Sequence, residues 1–438
     1  MSFRTAYLMA LKNIGLHNKR RDHRLVGAVL AVGFSLIPLV VVLEVAGGMI
    51  EGITRRFIEI GTYHLQVHIY DRLTTEELER VCIGIEKRED VHLAFVERQG
   101  LGLIFSSGGR TGAQIRSVPS WIYQRDALLR RYFTIESGAF DLERPDSVLL
   151  GKVVAERLGV SVGDEVKLLT AKRMKEGRYI PRVSRLRVRG IFTTGYQDMD
   201  KLWIYIPLQT GRLILPWESS REFIGVKVVD PYKDLKRYTE QIRDSLPEDL
   251  VLYRINTWFE LEENQYRSFQ TTKALLIFIM CLIVLVASVN VSSTMVMMVM
   301  EKTQEIGILK GIGARPGLIS LSFIITGFLT GVAGSAFGIT LGLVLAVNIN
   351  EVIRAAEHFL NGIRALGLLL VSPFYRVQAG YPITLLDPAF YLERIPIRIS
   401  LHEIVAVAAF AIFLSTLASY IPAKRAGRVR PLEVLRRV

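Results

Sequence analysis

Most of the residue patterns that mark an enzyme are missing from this 438-residue chain. It has no GxxxxGK(S/T) phosphate loop. The nearest glycine clusters, SSGGRTGA at 106–113 and KGIGA at 310–314, lack that loop's spacing and its lysine, which excludes ATP binding of the usual kind. The seven histidines include no HExxH, and none pairs with cysteine or carboxylates at metal-ligand spacing. No catalytic residue, cofactor or metal is therefore expected in the chain itself. Cysteine is scarce too: Cys82 falls in a polar half of the sequence and Cys281 inside a long apolar run, so the two are expected as free thiols. A cleaved leader is not expected, because the first apolar run is too long and VLEVAGGMIEG offers no convincing small-residue cleavage site.

What the chain does have is apolar length. Half its residues are hydrophobic and 22% are charged, with a mean hydropathy of +0.30, a mixture that fits membrane spans joined to a watery domain. Four runs, 25–45, 274–299, 318–347 and 404–421, approach or exceed the roughly 20 helical residues that cross a hydrocarbon core. The resulting fold class is an α-helical membrane protein with four transmembrane helices and a large α+β extracytoplasmic domain. Its segments are a cytoplasmic leader (1–24), span 1 (25–50), the domain (51–272), span 2 (273–299), a short polar interlude (300–317), span 3 (318–347), an outer loop (348–401), span 4 (402–421) and a tail (422–438).

The formal net charge of +13 would suggest nucleic acid in a soluble protein, but here it gathers at the membrane flanks. Lys19, Arg20, Arg21 and Arg24 precede the first run, Lys302, Lys310 and Arg315 lie in the interlude, and Lys424, Arg425, Arg428, Arg430, Arg436 and Arg437 follow the last. By the positive-inside rule these segments, and both termini, are cytoplasmic. Arg55, Arg56 and Lys273 on the other flank count little against this, since a long domain translocates largely regardless of charge. The leader, with Phe3, Tyr7, Ala10, Leu11 and Ile14 at helical spacing, suits a helix lying in the cytoplasmic interface.

Within the domain the same pattern occurs at both ends. HLQVHIY at 64–70 alternates like a strand, Thr74 with Glu77 forms a capping box for a helix, and VHLAFVERQGLGLIF returns to strand. Near the other end EFIGVKVV reads as a strand, Asp230 and Pro231 as the start of a helix, and DLVLYRI as a strand. The result is a split α/β subdomain around a β-rich insert at about 130–215. Span 3 carries Gly327, Gly331, Gly334, Gly338 and Gly342, a spacing that lets helix backbones approach closely, within the subunit or at a dimer seam. Glu44, deep in the first run, is expected to reach the outer interface.

The interlude MEKTQEIGILKGIGARPG, 300–317, reads as a helix where a turn would suffice. Ile306, Leu309, Ile312 and Ala314 stay near one face while Glu301, Glu305 and Lys310 stay polar.

One span, a large domain, three more spans, a helical interlude and no nucleotide site resemble the permease subunits of the FtsX/MacB-like ABC transporter superfamily. EKTQEIGILKGIGARPGLI and SYIPAKRAGRVRPLEVLR are similar to its coupling segment and its closing motif. NINEVIR with LDPAFYLERIP, and SVLLGKVVAERLGVSVGDEVKLLT with GRYIPRVSRLRVRGIFTTGYQDMD, resemble its lipoprotein-releasing branch of LolC/LolE type, from which 367–384 departs as an insertion. The resemblance implies a bacterial inner-membrane protein working with a pair of ATPase subunits that hold the ATP and Mg, a second permease subunit, an acylated lipoprotein substrate and a periplasmic lipoprotein chaperone. It implies ATPase coupling through Glu301, Glu305, Ile306, Leu309, Lys310 and Ile312, and a lipoprotein cavity lined by Leu36, Val40, Leu43, Met49, Leu285 and Met295. It also implies chaperone docking on a hairpin bearing Arg173, Lys175, Arg178, Pro181 and Arg182. A MacB-like peptide or drug exporter and an FtsX-like, non-transporting regulator of a cell-wall hydrolase are the alternatives within the same superfamily.

Overall fold

The computed structural model describes residues 10, 23–71, 73–173, 179–248, 250, 252–371, 383–385 and 395–429, which fall into a helical unit and a sheet-based domain. The proposed interfacial leader, the segment 386–394 and the closing motif beyond 429 lie outside the described residues.

Among the described residues four helices are long and apolar enough to cross a membrane: span 1 (His23–Arg56), span 2 (Glu263–Glu301), span 3 (Pro316–Val347) and span 4 (Leu401–Arg428). Each overruns the apolar run that marks it. Helix propensity and hydrogen bonding do not stop where hydropathy does, so sequence hydropathy locates the spans better than it locates their ends. One expectation fails here. Residues 348–401 do not begin as a loop, because a 23-residue helix, Ile349–Val371, follows span 3 directly.

The glycines of span 3 face two neighbours in the same chain rather than a seam between chains. A Cβ on Gly338 would sit 2.5 Å from the Gly33 carbonyl oxygen, and one on Gly342 would sit 2.9 Å from Val40 Cβ, both on span 1. On another side a Cβ on Gly331 would lie 3.0 Å from Ile412 Cα of span 4. Ser415 of span 4 donates to the Gly327 carbonyl at 2.9 Å, a hydrogen bond available only because no side chain intervenes. Span 2 is held less completely. Its buried residues begin only at Val284, while Leu275, Phe278, Ile279 and Leu282 are exposed. Its first half is tied to the start of span 4 by Lys273 Nζ on Glu403 Oε1 at 2.7 Å.

Glu44 does not reach solvent as expected. It is 2% exposed and accepts from the Ser400 backbone, and its other carboxylate oxygen finds no hydrogen-bond partner among the described residues. The chain at 396–397 presses so closely on span 1, where a Cβ on Gly48 would overlap the Pro396 carbonyl, that it covers this end of the helix.

The domain is built on one ten-stranded mixed sheet. Strands β1 (Leu65–Ile69), β2 (Val91–Phe105), β9 (Arg221–Val228) and β10 (Tyr253–Thr257) run in the order β10-β1-β9-β2, all neighbours antiparallel. The first crossover is the helix Thr75–Glu86, opened by the Thr74–Glu77 capping box, and the second is Leu235–Arg243. Each β-α-β unit thus has a strand of the other inserted between its own, the split arrangement that the sequence pattern implies. The second helix begins at Asp234 rather than at Asp230 and Pro231, which lie in the preceding turn. Both cysteines are free, and burial, helped by Glu86 and Glu79, pushes the Cys82 thiol up to about 12.

The insert comprises β3 (Arg110–Val118), β4 (Thr134–Gly138), β5 (Ser147–Gly151), β6 (Glu165–Arg173), β7 (Tyr179–Thr193) and β8 (Trp203–Pro207). It is not a separate sheet. The 15-residue β2 pairs with β9 from Val91 to Gln99, with β3 from Arg98 to Phe105 and with β6 from Leu103 to Phe105, so one strand belongs to both parts.

A π-helical turn, Phe57–Gly61, leads from span 1 into β1, and a fully buried arginine grips its end. Arg116 donates to the carbonyls of Ile60 (2.5 Å) and Gly61 (2.9 Å), forks onto Glu97 at 2.6 and 3.0 Å, and lies 4.3 Å over the Trp203 ring. Burial pulls its pKa down, but the Glu97 carboxylate, together with Tyr205 and Tyr63, pushes it above the ordinary guanidinium value. Beside it Tyr63, in the left-handed region at φ 61°, donates its hydroxyl to Glu97. Its ring fills the space over Gly225, where a Cβ would come within 2.6 Å.

Gly338→Leu should separate spans 1 and 3 and lower the melting temperature of the detergent-solubilised protein by several degrees. Gly362→Ala, with nothing within 4 Å of the added Cβ, should leave it unchanged.

Candidate functional site

The polar interlude between spans 2 and 3 is a helix, but a shorter one than its sequence suggests. It covers Thr303–Gly311, nine residues. Met300 and Glu301 close span 2, Gly313 turns the chain at φ 96°, and Pro316 opens span 3 at a position where a missing N–H is harmless. The apolar periodicity runs on through Ile312 and Ala314 because both turn residues still pack or project at helical distance, which is why the sequence overstates the helix.

Its faces also divide differently from the expectation. Ile306 is 3% exposed and Leu309 packs beside it, both in the core formed with Ala314 and with Ala423 and Ala426 of span 4. The apolar side is therefore largely used within the chain. The outward side carries Glu305, Ile308 at 54% exposure and Ile312 at 77%, an apolar pair next to a carboxylate. Ile308 was missed in the sequence because the alternation of apolar residues around a short helix does not reveal which of two apolar faces the protein covers.

Lys310 is equally displaced from its expected role. Its Nζ donates to the carbonyls of Gly427 (2.6 Å) and Val429 (2.7 Å), at the end of span 4. The last carbonyls of a helix have no partner within it and carry partial negative charge, so a lysine there satisfies two of them and complements the helix dipole. A Cβ on Gly427 would fall 2.2 Å from Ser320 Oγ, so this end of span 4 also rests on the beginning of span 3. The short helix is thus joined to spans 2 and 3 by the chain itself and to span 4 by packing and two charge-assisted hydrogen bonds.

A chain with a short helix anchored to three spans, one face of it exposed, and a large sheet domain after its first span is matched by two family models. The MacB-like periplasmic core domain matches residues 25–245, half of the chain, and the FtsX-like permease C-terminal model matches 277–431. The chain belongs to the FtsX/MacB-like ABC transporter permeases. Curated relatives agree along its length. A "Lipoprotein-releasing system transmembrane protein LolC" of Neisseria meningitidis serogroup B is 22% identical over 413 residues, 93% of each chain. LolC of Haemophilus influenzae is 23% identical and covers all of both chains, and LolE of the same organism is 26% identical over 69% of this chain and 67% of its own. Membership implies an ATPase partner and a second permease subunit.

The remaining expected site residues of this permease are scattered by the structure. Leu36, Val40, Leu43 and Met295 are buried within the helical unit, Leu36 and Val40 against the glycines of span 3, so they form core rather than an open wall. Met49 is half-buried, and Leu285, on span 2, is 49% exposed. The segment expected to dock a chaperone is a β-hairpin of β6 and β7, paired from Glu165↔Arg187 to Arg173↔Tyr179. Its tip, with Lys175 and Arg178, lies outside the described residues, as does the Arg173 side chain. Pro181 is exposed, and Arg182 donates to the Leu213 carbonyl at 2.8 Å.

The division of faces is directly measurable. Ile306→Asp should bury an unpaired carboxylate and cut the yield of folded protein sharply, whereas Ile312→Asp should leave the melting temperature within a degree or so of the parent.

Proposed function

We propose that this permease extracts acylated lipoproteins from the bacterial inner membrane and passes them to a periplasmic lipoprotein chaperone, driven by ATP that a separate pair of subunits hydrolyses. End-to-end similarity to proteins named for lipoprotein release carries this reading. The physical design supports it. The chain has no phosphate loop, so work must enter from outside, and the face formed by Glu305, Ile308 and Ile312 is where an ATPase subunit docks. By the positive-inside rule the basic flanks support a cytoplasmic position for that face and both termini, and a periplasmic one for the sheet domain.

Three acyl chains of about sixteen carbons carry roughly 35–40 kcal/mol of hydrophobic cost if drawn into water, at ~0.8 kcal/mol per CH₂. They therefore move first into an apolar space between paired permeases. The exposed flank of span 2, with Leu285, Val286 and Val289, is the wall for that space, in place of the buried Leu36, Val40, Leu43 and Met295. The β6–β7 hairpin, rich in Arg and Lys, is the docking element for an acidic chaperone surface.

In proteoliposomes containing the permease and its ATPase, Glu305→Lys should abolish ATP-driven release of an acylated lipoprotein to a soluble chaperone while membrane insertion stays normal. Undiminished release by the well-expressed variant would remove the docking assignment, and ATP hydrolysis with release of non-acylated cargo only would favour a MacB-like exporter. Deleting residues 174–179 should block capture by the chaperone and spare ATP hydrolysis; unimpaired transfer would remove the hairpin from the mechanism.

A further inference from the structure

The helix that follows span 3 has a use that neither the coupling site nor the hairpin explains. Ile349–Val371 places Val352, Phe359, Ile363 and Leu366 along one stripe, since steps of seven, four and three residues return to the same side of an α-helix. All four are exposed, Phe359 at 69% and Leu366 at 65%. The opposite side carries Glu351, Arg354, Glu357, His358, Asn361 and Arg364, with Arg354 paired to Glu351. A helix with so wide an uncovered apolar stripe draws little stability from its own propensity and needs a surface to lie on.

The chain itself indicates which surface. Only Asn348 separates this helix from the last residue of span 3, and it belongs to the same compact unit as the spans. It therefore starts at a membrane–water boundary, on the side that carries the sheet domain, because spans 2 and 3 cross and return. Its polar side holds two arginines and two glutamates, nearly balanced, so headgroup charge is not what attracts it. We propose that Ile349–Val371 lies in the bilayer interface with Val352, Phe359, Ile363 and Leu366 in the acyl boundary, a lipid-surface anchor for the outer end of span 3. An apolar face of this kind sinks about 5–10 Å below the headgroups, within reach of shallow quenchers carried on lipid chains.

The test uses the full chain in phosphatidylcholine nanodiscs, with Cys82 and Cys281 replaced by alanine and a single environment-sensitive fluorophore attached through Phe359→Cys, Ile363→Cys, Arg354→Cys or His358→Cys. All four positions are at the surface of the helix or partly so, and none belongs to the coupling site. Lipids spin-labelled near the headgroup should quench the Phe359 and Ile363 labels at least about twofold more than the other two, and aqueous iodide should do the reverse. Equal lipid quenching on both sides, or none on either, overturns the proposal. Labels at 359 and 363 shielded from both quenchers would also overturn it, and would assign the stripe to residues 372–394 of the same chain or to a second copy.

Discussion

In a bilayer the hydrophobic effect does not press helices together, so contact is won by shape. Span 3 wins it by leaving side chains out. Gly334, Gly338 and Gly342 admit the backbone and Cβ atoms of span 1, Gly327 and Gly331 admit those of span 4, and a serine of span 4 reaches a span 3 carbonyl. Three spans therefore form a close-packed group, and Leu36 and Val40, which the family resemblance implies as cavity lining, are consumed in making it. Span 2, with few buried residues in its first half, is the helix left with surface to offer to lipid, substrate or a second subunit.

The sheet domain faces the opposite problem, an excess of buried charge. Arg116, Glu97 and Lys227 are almost completely enclosed, Lys227 with Glu59 at 3.2 Å and Asp126 at 2.5 Å. Such groups are tolerable only when each is paired and hydrogen-bonded, and removing one partner costs several kcal/mol because the other is stranded. Here the pairs converge on the short π-helical segment at the end of span 1. The network fixes how the chain leaves that helix and enters β1, which is a reason to retain charges where apolar packing would be cheaper to form.

Much of this was legible in the residues. Hydropathy marks the four spans, the Thr74–Glu77 capping box marks a crossover helix, and alternating strands imply the split topology, because those signals are local and periodic. The polar interlude between spans 2 and 3 was visible as a helix for the same reason. What stayed hidden depends on partners distant in sequence. Nothing near Lys310 announces the Gly427 and Val429 carbonyls, and nothing near Leu36 announces Gly338. Ile308 and Ile306 are indistinguishable until span 4 covers one of them. The helix after span 3 does carry a local period in Val352, Phe359, Ile363 and Leu366, but its direct continuation from span 3 hides where one helix ends and the next begins.

The shared strand β2 constrains how the domain can work. Two subdomains joined by a linker could swing against each other, but these are sewn together by fifteen continuous residues whose hydrogen bonds belong to both. Bending there would mean breaking sheet, so the domain behaves as a plank. A turn applied to the sheet next to Gly61 is therefore carried, with little slack, into the paired residues of β6 and β7.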